Sequence, residues 1–411
     1  MRVLYFSPRI CWPTISGAHL RDFYFARQLA RAGRLTYLGL VNEEAGPQAD
    51  ELRQRLEPQN GTEVLAIRRE RGYRPANIVR GLIGPTPLNV LNYTSPRVMA
   101  QLDLLLRERS FDVAQIESMH LIAYARRIRQ TAPRTRLILD WHNIESEILA
   151  RYAENDPNRL RAWYARRTAG LSREVEDELL RLCHAHTVCS ERERDVLLRR
   201  VPEARVEVAG NGVDCDFFAE APAPGAARHD VLFMGRMDYH ANIDAALYFV
   251  RKVWPLVRAR RPELRLTIVG AQPPRQILAL RGQDIVVTGT VEDVRPWYSS
   301  ALVSVVPLRV AGGTRLKVLE AMAAGTLVVS TTLGAEGLAV THGREILIAD
   351  SPEAMAEAIA SVEPGSPAWQ QLTANARRLA RAKYDWSAVG ETLLRLHAEQ
   401  VEMGAACLRA K

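Results

Sequence analysis

The chain has 411 residues, 47% hydrophobic and 25% charged, with a formal net charge of +8. That is the make-up of an ordinary globular protein with room for two or three domains, and no run of eighteen apolar residues is present to span a bilayer. Lysine occurs only at 252, 317, 383 and 411, so the basic excess is almost all arginine; it is discounted as a nucleic-acid signal and suits a nucleotide diphosphate or an anionic membrane surface equally.

Five cysteines without regular spacing point to free thiols in a reducing compartment. The opening MRVLYFSPRICWP passes from a short apolar run into a proline-bounded turn, which does not read as a signal peptide. The expected location is cytoplasmic, with a peripheral place at the inner face of a membrane left open. Val3 to Phe6 reads as a strand, the stretch to Ala32 as an amphipathic helix ending at Gly33, and Leu35 to Val41 as the next strand. This is a βαβ unit, and the loop after its first strand, with Gly17, lies where such a sheet holds a ligand. In residues 43 to 110 arginines, prolines and short helical patterns alternate, and Tyr73 to Ser95 reads as an irregular helical lobe.

Phe111 to Ser118 and Arg136 to Ser146 read as strands ending in polar residues, among them Glu117 and His142. Residues 147 to 182 read as one long helical region. CHAHTVCS, Cys183 to Ser190, looks like a metal cluster, but on a strand its cysteines and histidines face opposite ways. Asp214 and Asp216 form a DxD pattern, for which nothing else supports a metal. Ala221 to Arg228, rich in proline, glycine and alanine, reads as the linker.

A second β/α series follows, with strands at Val231 to Met234, Leu264 to Val269, Ile285 to Val287, Leu302 to Val306 and Leu327 to Val329. Between the last two, Gly312 and Gly313 make a turn and Thr314 starts a helix that ends near Gly325. A glycine turn feeding a helix N-terminus suits a phosphate. Arg315 and Lys317 stand in its first turn, and Glu320 is a carboxylate in the apolar run VLEAMAAG, where burial demands a partner. The plain alternative is an amphipathic helix with a Lys317–Glu320 pair. The tail from Asp385 to about Val401 reads as one amphipathic helix.

The stretch PLRVAGGTRLKVLEAMAAGTLVVST resembles the donor-site motif of family 4 (group 1) glycosyltransferases, in the subgroup written GGTRLKxLEAMA. The resemblance implies the GT-B architecture: an α/β protein of two doubly wound Rossmann-like domains facing each other across a cleft. They are expected at 1–220 on the acceptor side and 221–384 for the nucleotide-sugar donor, with a helix at 385–411 crossing back. By the same resemblance Glu320 holds the ribose, Arg236 binds the diphosphate, and Gly289, Thr290 and Val291 wrap the base. Gly17, Gly312, Gly313, Thr314, Arg315 and Lys317 complete the donor site. Glu117 and His142 fall on the sugar or acceptor side, and Arg236, Lys317 and His142 are the catalytic candidates. Three departures stand out: Gly312 replaces a glutamate common in the family, Ala241 a lysine, and Glu117 a histidine.

The implied activity is a retaining, metal-independent transfer of a sugar from a UDP- or GDP-linked donor to an acceptor hydroxyl, on a glycan, lipid-linked or small-molecule acceptor. Bacterial surface-glycan synthesis is the implied setting, with no cofactor and no nucleic-acid partner. Two alternatives remain: a non-catalytic nucleotide- or glycan-binding partner of an assembly complex, and a nucleotide-sugar epimerase.

Overall fold

The computed structural model describes residues 1–42, 46–56, 60–70, 74–220, 230–310 and 315–409. The expected linker and Gly312, Gly313 and Thr314 lie outside the described residues. The chain divides into two compact units, Met1–Gly210 with Gly390–Lys411, and Asn211–Val389. The boundary expected at residue 220 thus lies inside the second unit: the Val213 N–H donates to the Tyr384 carbonyl, and Cys215 and Phe218 pack in that unit's core.

Among the described residues the first unit has seven strands: β1 (Arg2–Ser7), β2 (Arg34–Val41), β3 (Glu63–Arg68), β4 (Val113–Glu117), β5 (Arg136–Trp141), β6 (Ala185–Val188) and β7 (Val206–Val208). All pair in parallel, in the order β3-β2-β1-β4-β5-β6-β7. Helices cover both faces of such a sheet, so its central strands are buried throughout and read as near-continuous apolar runs. Every residue of β4 is buried, including Gln115 and Glu117. The order reverses between β1 and β4, and a doubly wound sheet leaves a crevice at the carboxyl ends of that strand pair.

Two sequence expectations fail here. Residues 147 to 182 are two helices, Glu145–Asn155 and Arg159–Leu182. Pro157 cannot continue a helix, and the Asn158 carboxamide restarts one by accepting from the Leu160 and Arg161 N–H groups. Ahead of the expected lobe, where the sequence shows only short helical patterns, β3 is an edge strand paired only with β2. Its first five residues are half-buried, so no clean alternation marks it.

The second unit has six described strands: β8 (Asp230–Met234), β9 (Arg265–Val269), β10 (Ile285–Val287), β11 (Ala301–Val306), β12 (Leu327–Ser330) and β13 (Leu347–Ile348). They are parallel in the order β10-β9-β8-β11-β12-β13, reversing between β8 and β11. The helix Leu316–Ala324 buries Val318, Leu319, Ala321 and Met322 against them and stops at Gly325, whose φ of 71° is cheap only for glycine. The last helix is Trp386–Arg409. From Gly390 on it groups with the first unit, where Leu396 packs on Val113, Ile138 and Ala185, and the Arg136 guanidinium donates to Gln400 Oε1. Among the described residues no helix is long and apolar enough to cross a membrane.

Candidate functional site

Each unit assembles a polar group at the reversal of its sheet. In the first, the helix Gly17–Ala32 starts at Gly17, capped by the Ser16 hydroxyl on the His19 N–H. One turn later it delivers Arg21 and Asp22 to the ends of β1, β4 and β5. His142 Nε2 lies 2.9 Å from Glu117 Oε2, 3.2 Å from Asp22 Oδ1 and 3.4 Å from Asp140 Oδ2. The two residues expected on the sugar or acceptor side therefore touch each other.

Around them every buried charge has a counter-charge. Arg21 donates its Nε and Nη2 to the two Asp140 oxygens at 2.6 Å, and its Nη1 to the Gly210 carbonyl. Asp22 Oδ2 accepts from Ser7 Oγ at 2.8 Å and from Arg9 at 3.1 Å. Glu117 Oε1 accepts from the Gln115 carboxamide at 2.7 Å, and Asp140 also from Thr187. Asp22, Glu117 and Asp140 are wholly buried and Arg21 is 1% exposed. Ions this deep persist only when paired and hydrogen-bonded. Ser118, directly after Glu117, holds a φ of 87°, a region few non-glycine residues occupy, and its N–H donates to the Asp140 carbonyl.

The environment sorts the titrating groups. Burial alone would lower His142, but Asp22 and Glu117 raise it to about 10, so the ring is an imidazolium at neutral pH. Burial and the Asp140 charge raise Glu117, against His142. Burial would raise Asp22, but Arg9 and His142 bring it to about 2. Asp22 and Asp140 thus face Arg9, Arg21 and the imidazolium, while Glu117, raised to about 8, is largely protonated at neutral pH. Asp22, Glu117 and His142 each offer one ligand atom, all within 4.8 Å of one another. A metal there would first have to displace the imidazolium proton.

The other metal-like patterns dissolve. His184 Nδ1 accepts from the Leu137 N–H, His186 Nδ1 from the Trp141 indole, and the Cys189 thiol points at the Trp141 carbonyl. Asp214 caps a short helix by accepting from the Phe217 N–H, while Asp216 pairs with Arg381 at 2.7 Å.

In the second unit, glycines end three adjacent strands: Gly235 after β8, Gly270 after β9 and Gly289 two residues after β10. A Cβ on Gly270 would lie 1.8 Å from the Gly235 carbonyl oxygen, and one on Gly235 2.8 Å from Lys317 Nζ. Glycine here lets backbone and ammonium approach. Lys317 Nζ donates to Asn242 Oδ1 at 2.6 Å, and Asn242 Nδ2 donates to the Arg236 carbonyl at 2.8 Å. The ammonium also lies 5.3 Å from the centre of the Phe233 ring. Burial lowers Lys317 to about 8, against Glu320 and with Arg315. Glu320 is not its hydrogen-bond partner: Glu320 Oε2 accepts from the Tyr298 hydroxyl at 2.8 Å, and burial raises its pKa.

The remaining predicted donor residues are placed as follows. Arg236 is 45% exposed at its side chain and forks onto Asp238. Arg315 is buried, donating to the Leu333 carbonyl and lying 3.6 Å from Glu336. Gly289 holds a φ of 86° with open space where a Cβ would stand; Thr290 is exposed and Val291 packs on the core. Ala241 is buried in the helix His240–Tyr248, where a lysine would have to leave the core. Sequence reasoning missed Arg21, Asp22, Asp140, Asn242 and Tyr298. Asp22 had a signal: with Ala26 and Leu29 it shares an apolar helical stripe, as Glu320 does in its own helix.

Two family models match the chain, Glycosyltransferase Family 4 over residues 45–217 and Glycosyl transferases group 1 over residues 228–362. A D-inositol 3-phosphate glycosyltransferase from Thermobispora bispora is 28% identical over 257 residues, 56% of this chain and 57% of that one. The chain spans 39% to 57% of the length of the curated relatives it matches. Among solved structures, sucrose-phosphate synthase from Thermosynechococcus elongatus superposes with a TM-score of 0.67 at 18% identity, covering 97% of this chain and 99% of that one. HepE from Anabaena, solved with UDP, gives a TM-score of 0.66 at 15% identity, covering 97% and 100%. These likenesses identify the GT-B fold.

Proposed function

The chain belongs to the family 4, group 1 glycosyltransferases, and on that premise we propose that it transfers a sugar from a UDP- or GDP-linked donor to an acceptor hydroxyl. The observation that carries the reading is Lys317, held by Asn242 against glycine backbone at the reversal of the second sheet. As the bond from sugar to diphosphate breaks, negative charge grows on the leaving phosphate. A fixed ammonium in a part-buried site stabilises that charge with no reorganisation. Its lowered pKa means that it lacks a full counter-charge until an anion arrives. Arg236 is the second cation beside Gly235.

Glu320, oriented by Tyr298, is the carboxylate for the ribose hydroxyls. Arg315, held on Leu333, shapes the helix start rather than the phosphate contact. His142 and Glu117 serve the sugar or acceptor, and His142 reaches the surface with 13% of its side chain. The reaction is proposed to retain configuration and to need no metal, since Lys317 supplies the cation at the diphosphate and an imidazolium already stands between Asp22 and Glu117. HepE, solved with UDP, supports a uridine nucleotide, and surface-glycan synthesis is the proposed setting.

One observation favours a second reading. The buried carboxylates of the first unit suit a nucleotide-sugar epimerase, which would convert a donor with no acceptor added. The test is calorimetric binding of UDP, GDP, ADP and TDP to the wild type, Lys317→Ala and Glu320→Ala, followed by turnover of the matching sugar nucleotides. One nucleotide bound tightly by the wild type and lost in both variants supports the donor site. No binding by the folded protein overturns it, and binding without turnover makes the chain a non-catalytic partner.

A further inference from the structure

A second group of cations stands at the carboxyl ends of the first sheet, on the same edge as Glu117 and His142. Arg9 lies just past β1, Asn42 directly past β2, Arg69 directly past β3, and Ser118 and His120 just past β4. The helix Leu88–Tyr93 brings its last residue among them. The Arg69 guanidinium lies 4.3 Å over the centre of the Tyr93 ring, and the His120 ring centre is 5.1 Å from that of Tyr93. Ser118 Oγ fixes the imidazole, 2.5 Å from His120 Nδ1.

Counter-charge is short here. Arg69 donates its Nε to Asn42 Oδ1 at 2.8 Å and its Nη1 to the Asn92 carbonyl at 2.9 Å, both neutral. Among the described residues no carboxylate pairs with it, and Glu70, the next residue, accepts from the Ser95 hydroxyl instead. Arg9 has one carboxylate, Asp22 at 3.1 Å, and shares it with His142. Its Nε and Nη2, and the Nη2 of Arg69, keep no partner among the described residues. Burial first, then Arg9, His142 and Arg69, lower the His120 pKa to about 4, so three cations surround one neutral ring. Arg9 is 27% exposed at its side chain, and Arg69, Tyr93 and His120 are half-buried, so a ligand can reach them. Guanidinium groups short of counter-charge favour an anion, and their planar forks match phosphate or carboxylate oxygens. A clip for the Leu88–Tyr93 helix would explain the Asn92 bond of Arg69. It would not explain why Arg9 and His142 converge on the same ring.

We propose that Arg9 and Arg69, beside Tyr93 and His120, form a subsite for an anionic group carried by the acceptor, a phosphate or a carboxylate. The inference rests on the reading of this edge as the acceptor side, and it names the acceptor class: a sugar or glycan bearing a negative substituent. Glu117 and His142 face its neutral ring, and the substituent goes to the two arginines.

The test is calorimetric titration of the full chain with glucose, glucose 6-phosphate, glucuronate and inorganic phosphate. It is run on Lys317→Met, so that anions at the donor ammonium do not contribute. One charged sugar should bind at least tenfold tighter than glucose, and whether it is the phosphate or the carboxylate names the anion. Arg69→Gln in the same background should remove that preference, while Arg69→Lys, which keeps the charge, should retain more of it. Thermal unfolding checks that each variant folds. UDP binding by Arg69→Gln with Lys317 intact should equal that of the wild type, which separates this subsite from the donor site. Given a donor that turns over, Arg69→Gln should raise KM for the charged acceptor about tenfold and leave kcat little changed. Equal affinity for glucose and its charged forms overturns the proposal. So does the absence of anion binding, or a preference that Arg69→Gln leaves intact.

Discussion

At the strand ends of the first unit Asp22, Glu117 and Asp140 are buried against Arg9, Arg21 and His142, every partner supplied by the protein itself. At those of the second unit one ammonium stands among glycines, and its direct partner is a neutral carboxamide. The two groups occupy the same place in the same kind of sheet. The difference shows what burial of charge does to each: an ion-paired network holds its geometry with nothing bound, whereas a part-buried ammonium held by a neutral carboxamide favours an incoming anion. The first reads as a scaffold for orienting a neutral sugar, the second as a receptor for a diphosphate.

The largest effect should come from unbalancing the network. Arg21→Met leaves Asp140 buried with only Thr187 and His142, and should cost about 3–5 kcal/mol. Faster hydrogen exchange in peptides covering 113–117 and 136–141 reads it. A near-neutral result would mean that the network is not a structural ion cluster, and the comparison breaks.

Lys317→Met tests the other half. Nucleotide affinity should fall about 10- to 100-fold, the usual worth of a charged hydrogen bond, while stability at pH 7 changes little or rises. The sign follows from the lowered pKa, since the folded site disfavours the ammonium that the variant removes. Affinity should also depend on pH in the wild type. It is full while Lys317 is protonated, falls by at most about tenfold per unit above pH 8, and is flat in Lys317→Met. Calorimetry across pH 6.5–9.5 measures both.

Asn242→Ala sharpens the comparison further, since it frees the ammonium without removing it. Nucleotide binding should weaken about 3- to 10-fold, with the pH midpoint shifted; unchanged binding would make Asn242 a bystander.

The smallest effect is on the pH dependence of the first unit. A His142 raised from its ordinary value to about 10 contributes stability that is full below pH 6.5 and lost as pH rises through 10. The raised Glu117 acts in the same direction over a lower window, from its ordinary 4.5 to about 8, so the first unit should loosen progressively from about pH 5 to 10. In His142→Gln that slope should flatten, measured by hydrogen exchange in the 136–141 peptide.

The strands near Val3, Leu35, Val231, Ile285, Leu302 and Leu327 were legible because each is a short apolar run bounded by turn residues, and each forms in its place. Less was legible in the candidate sites. Glu320 drew notice as a carboxylate in an apolar helix, yet its partner proved to be Tyr298, 22 residues away. His142 and Glu117 were picked separately, and their contact across adjacent strands was not visible. β3 was missed because an edge strand buries neither face fully.

By itself the sequence determined two series of alternating strands and helices, the glycines that end the strands, and the helix that carries Lys317 and Glu320, because apolar period and turn chemistry are local. Only the tertiary structure decided that Arg21 meets Asp140 from 119 positions away and that Lys317 meets Asn242 from 75. The crossover segments that set those separations vary in length without any period, so no spacing in the chain encodes which strand ends meet.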